Sequence, residues 1–111
     1  MSIERLDRAF EALNASDLSR NLISGMLGVE MYALACWFEG DYDLYNPLPY
    51  LDRIERLVWT ISTIAKARGS HEVLIHLAPG SDLVTAIAAQ NWSAVDRKLC
   101  LLGPSYHPFA A

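Results

Sequence analysis

From Ile3 the chain returns to an apolar residue every three or four positions, through Leu6, Phe10 and Leu13. That interval is the turn of an α-helix, so the four side chains fall on one stripe. Ser2 stands where an N-cap belongs, and Glu4 and Arg8 are spaced as an i, i+4 pair on the outer side. The spacing predicts a first helix over residues 2–13.

A second helix is expected from about Asp17 to Phe38, opened by Ser16 and Asp17 and closed near Gly40, a residue suited to the left-handed conformation that ends many helices. Its second half, VEMYALACWF, is apolar nearly all the way round and should be covered on more than one side, as the central helix of the fold. Gly25 and Gly28 lie near one face. They either admit the close approach of another helix or are weak points costing about 1 kcal/mol each relative to alanine.

The clearest stripe runs through Leu51, Ile54, Leu57, Val58, Ile61, Ile64 and Ala65, between Pro49, which suits a first helical turn, and Gly69, which suits an end. Asp52 and Arg56 pair across one turn of it. The segment SHEVLIHLAPG is ambiguous, because VLIHLA fits either a short buried strand or a two-turn helix. A strand needs a partner, and no second β-rich run exists, so the helix is the reading adopted. Ser81 and Asp82 open a further helix through Leu83, Val84, Ile87 and Ala88 to Gln90. Ser93 and Asp96 resemble a capping box for a last helix carrying Val95, Leu99 and Leu102 to Gly103. The tail GPSYHPFAA has two prolines and no periodicity, so residues 103–111 should be irregular, with Tyr106 and Phe109 available to dock on the body. These elements predict an all-α, single-domain bundle of five or six helices over residues 1–111.

Composition agrees with that picture. A chain of 111 residues, 52% apolar and 20% charged, is long enough for one core and far from the disordered class. The net charge of −4 argues against a nucleic-acid binder, whose affinity comes from lysine and arginine displacing counterions. Cys36 and Cys100, in ALACWF and RKLCLL, read as small buried hydrophobes with free thiols. The N-terminus, MSIERLDRAFEALN, has no unbroken apolar stretch of the kind a secretory signal requires, and the apolar run 22–38 is interrupted by Gly25, Gly28 and Glu30. The expected setting is the cytoplasm, without membrane association.

Chemistry is sparse. His71 and His76, five apart, cannot share a metal ion on one local element, and Glu72 with His76 makes only an incomplete set, better read as a structural or surface pair. Asp41 and Asp43 begin like a calcium loop, but the sixth position is Asn46 rather than glycine and the twelfth is Asp52 rather than glutamate. A thiol enzyme would pair Cys36 or Cys100 with a histidine, for instance Cys36 with His71 or His76, and neither cysteine has polar neighbours suited to that role. There is no phosphate-binding glycine loop and no nucleophile elbow. We expect no enzyme activity, no cofactor and no metal.

One stretch stands apart. EGDYDLYNPLPY, residues 39–50, sets Glu39, Asp41 and Asp43 beside Tyr42, Tyr45 and Tyr50. It is either a plain connection, with the acids solvated and the rings lying on the core, or a protein-binding surface, with acids that speed association and tyrosines that anchor it. A small-ligand site is disfavoured, since no convergent polar groups are visible. The functional expectation is a non-catalytic protein-binding module for a basic protein partner. Its specialised form is an immunity or antitoxin-type inhibitor that blocks a nuclease-like toxin. The alternative is a homo-oligomeric helical structural or regulatory protein, a homodimer for instance, burying Trp37 or Trp59. No family motif accompanies either reading.

Overall fold

In the computed structural model, which describes residues 2–103, the apolar stripes close on one buried core built around Leu6, Leu13, Leu34, Ile54, Leu57, Ile64, Leu77, Val95 and Leu99. The described residues form seven α-helices and no strand: α1 (Ser2–Ala15), α2 (Arg20–Leu27), α3 (Met31–Phe38), α4 (Leu51–Arg68), α5 (Val73–His76), α6 (Asp82–Ala88) and α7 (Trp92–Cys100). Single 3-10 turns, Leu48–Tyr50 and Ser70–Glu72, lead into α4 and α5. The domain is all-α, as its periodicity predicts.

α1 buries Leu6, Ala9, Phe10 and Leu13. Ile3 was expected on the same stripe but is 63% exposed, because the first turn overhangs the edge of the core.

The helix expected over residues 17–38 is two helices whose axes turn through 111°. Asp17 takes a left-handed φ of 64°, which no helix start accommodates, so the cap moves to Ser19, whose Oγ accepts the Leu22 N–H at 3.1 Å. Ser16 closes α1 instead: its Oγ donates to the Leu13 carbonyl at 2.6 Å and accepts the Leu18 N–H at 3.3 Å. Gly28 stops α2 at φ 70°, and its N–H and that of Val29 both donate to the Ser24 carbonyl. Glu30, in extended conformation, then starts α3. The bend folds Ile23, Met26 and Leu27 of one limb and Ala33, Leu34 and Trp37 of the other onto the same core.

The two glycines therefore do different things. A Cβ at Gly25 would meet nothing within 4 Å, so no helix approaches there, while a Cβ at Gly28 would lie 3.4 Å from Arg53 Nη1. That guanidinium belongs to α4 and donates to the Leu27 carbonyl at 3.1 Å, satisfying the end of α2 across the fold.

α4, 18 residues long, is the strut of the molecule, and α1, α5 and α7 all pack along it. Its buried Thr60 and Thr63 satisfy their hydroxyls on the carbonyls of Arg56 and Trp59, each at 2.8 Å. The expected Asp52–Arg56 pair is present at 3.0 Å. The ambiguous segment is helical, with Val73 and Leu77 buried. Ser81 caps α6 as expected, accepting the Val84 N–H at 3.2 Å. α7 starts earlier than expected: its cap is Asn91, whose Oδ1 accepts the Ala94 N–H, and Ser93 lies inside the helix. Cys100 was expected to be buried but faces solvent at the end of α7, because Leu99 takes the core position beside it. The expected tail and its Tyr106 and Phe109 lie outside the described residues beyond Gly103. Among the described residues, no single helix is long and apolar enough to cross a membrane.

Candidate functional site

The acidic and aromatic segment connects α3 to α4, and its course is fixed from beneath. Trp37, 2% exposed, donates its indole Nε1–H to the Tyr45 carbonyl at 2.7 Å, an anchor placed in the middle of the loop. Gly40 turns the chain at φ 81°, with its N–H on the Trp37 carbonyl. Two side chains then fold the loop on itself: Asp41 Oδ1 accepts the Asp43 N–H, and Asn46 Oδ1 accepts the Leu48 N–H, each at 3.0 Å.

The tyrosines extend this scaffold. Tyr42 lies against Phe10 of α1, ring centroids 6.1 Å apart, and its hydroxyl donates to Asp7 Oδ1 at 2.5 Å. Burial first, and then the bond to the Asp7 carboxylate and its negative charge, push the Tyr42 phenol well above its ordinary pKa. Tyr45 meets Tyr32 edge-on at 5.8 Å. Tyr50 packs on Trp37 at 5.7 Å, with the Arg53 guanidinium 5.5 Å from its ring. All three are half-buried. They brace the loop and are not free anchors.

The carboxylates face the other way. Glu39, Asp41 and Asp43 are exposed, and none forms an ion pair among the described residues. The six residues singled out from sequence thus separate into rings turned to the body and charges turned to water. Trp37, proposed from sequence as an oligomer contact, is enclosed in the monomer and unavailable for that role.

Three further residues belong to this surface, and no local pattern brings them together, although Leu48 lies within the acidic and aromatic segment and Ile3 on the first apolar stripe. Asp7, 35 residues from Tyr42, adds a carboxylate from α1. Ile3 and Leu48 add apolar side chains, and with Leu6, Asp7, Asp41, Tyr42 and Asp43 they line an open groove of about 380 Å³. On the far side of Tyr42, Asp7 and Glu11 line a smaller groove with Arg20, whose guanidinium lies 4.5 Å from the Phe38 ring centroid.

Elsewhere the chemistry stays thin. Glu72 and His76 pair at 3.1 Å on one helix face, and no three of His, Cys, Asp and Glu gather as metal ligands among the described residues. Cys36 is half-buried, and both thiols are free. No family model matches this chain, and no curated protein and no solved structure matches it either.

Proposed function

We propose that the protein is a non-catalytic module that binds a basic protein partner through the loop between α3 and α4. One observation carries the reading: Glu39, Asp41 and Asp43 are exposed on a loop already held in shape by Trp37, Tyr42 and two Asx turns. A preformed loop spares the ordering entropy that binding would otherwise cost, and unpaired surface carboxylates speed encounter with a positive patch. In its specialised form the partner is a toxic nuclease. Its substrate cleft must be basic to hold phosphates, and these acids would occupy that cleft in place of the nucleic-acid backbone, as a cytoplasmic immunity or antitoxin-type inhibitor does.

Coexpression of the protein with the products of its neighbouring genes tests this. A basic partner should be captured at low salt, with association slowing steeply as ionic strength rises. Asp43→Lys should abolish capture, and Asp41→Asn, which keeps the turn acceptor but removes the charge, should weaken it. Capture that ignores both substitutions, or no capture of any neighbouring product, sinks the reading.

A homo-oligomer is the second reading, favoured by Met31, Tyr32 and Leu44, large apolar side chains exposed on α3 and the adjoining loop. Light scattering separates the two: a stable dimer lost on Tyr32→Ser supports the oligomer.

A further inference from the structure

The acids alone would attract any cation, but the groove beside them is floored by hydrocarbon. Ile3 is 63% exposed and Leu48 47% exposed, large fractions for aliphatic side chains. They come from the overhanging first turn of α1 and from the turn that starts α4, with Leu6 and Pro47 between them. Asp7, Asp41 and Asp43 stand among these apolar groups. Two of the three carboxylates are held: Asp7 takes the Tyr42 hydroxyl and Asp41 takes the Asp43 N–H. The result is an apolar trough with fixed negative charge at its rim.

Resting on the protein-binding reading above, we infer that this trough receives a short segment of the partner in which an aliphatic or aromatic side chain is flanked by lysine or arginine. The charge complement selects that chemistry. An acidic or neutral segment would leave Asp7, Asp41 and Asp43 unpaired beside a dehydrated surface, and a purely cationic one would leave Ile3 and Leu48 wet. A lysine or arginine within salt-bridge reach of Asp43 or Asp7, one or two residues from a side chain seated between Ile3 and Leu48, satisfies both requirements. Recognition is thereby moved off the tyrosines, which are committed to the loop, onto Ile3, Leu48 and the rim.

The test pans a random-sequence peptide library, displayed on phage, against the immobilised full-length protein at low salt, followed by anisotropy titration of the enriched peptides. Enriched peptides should carry lysine or arginine beside a leucine, isoleucine or phenylalanine. Leu48→Ser and Ile3→Ser, both at exposed positions and checked for unchanged circular dichroism, should each weaken binding roughly tenfold or more, as expected for losing one buried aliphatic contact. Leu101→Ser, at a residue 78% exposed in a separate groove, should change nothing. No enrichment, enriched peptides without basic residues, or binding that survives both groove substitutions overturns the inference, as does a trough filled by a second copy of the chain. Its failure is distinguishable from failure of the broader reading. A partner captured in an Asp43-dependent way but indifferent to Leu48→Ser and Ile3→Ser removes the trough and keeps the function, whereas capture indifferent to Asp43→Lys removes both.

Discussion

The indole N–H of Trp37 reaches the backbone carbonyl of Tyr45 at 2.7 Å, so the last turn of α3 holds the middle of a loop that contains no regular structure until Leu48. The same ring packs against Phe10 and Tyr50, centroids 5.8 and 5.7 Å away. One buried side chain thus ties α1, α3 and the acidic loop together. Trp37→Phe keeps most of the apolar contact but leaves the Tyr45 carbonyl without its donor, and should cost roughly 1–3 kcal/mol in urea unfolding. Partner capture should fall with it, because the loop must then be ordered on binding.

Tyr42 should give the fold an alkaline weakness. Its pKa is raised in the folded state by burial and by the Asp7 carboxylate, so the neutral phenol is favoured there more than in the unfolded chain. That stability is fully present below the ordinary tyrosine value, near 10, and is lost as pH climbs from there towards the higher folded value. Tyr42→Phe should flatten this loss at alkaline pH. At neutral pH it should cost about 1 kcal/mol or less, because the Asp7 bond lies at the surface. Urea denaturation at a series of pH values between neutral and strongly alkaline measures both.

The two glycines of the bent helix pair should respond with opposite sign. Gly28→Ala forces a side chain into a left-handed conformation and against Arg53, and should destabilise by roughly 1–2 kcal/mol. Gly25→Ala sits inside α2 with open space at the new Cβ, and should stabilise by about 0.5–1 kcal/mol. Thermal melts of the two variants decide it, and a stabilised Gly28→Ala would contradict the account of the break.

Thiol labelling should be ordered. Cys100 is exposed and Cys36 half-buried in α3, so a thiol reagent should modify Cys100 first in the folded protein, with Cys36 following more slowly and catching up in denaturant. Rapid labelling of Cys36 in the folded state would instead point to a reactive thiol.

Helical class, the extent of α4 and the Ser81 cap of α6 were legible in the sequence because each depends on neighbours within a turn or two. A stripe at three- and four-residue steps is buried on one face as a helix, and the Ser81 cap needs only the Val84 N–H three residues on. The acidic and aromatic loop was legible for the same local reason, since Gly40, Pro47 and Pro49 interrupt any helix there.

Everything that depended on residues far apart in the chain was decided by tertiary structure. The bend of residues 17–38 at Gly28 is held by Arg53, 26 residues on from Leu27, closing the end of α2. Which way the loop tyrosines faced turned on Phe10, Asp7, Tyr32 and Trp37 being brought beneath them. The apolar trough joins the first turn of α1 to the turn before α4, and no local pattern joins those segments. Periodicity reports which face of a segment must be buried, because that preference belongs to the segment itself. The body each face is buried against, and the charges left standing beside it, arise only when distant segments share one core.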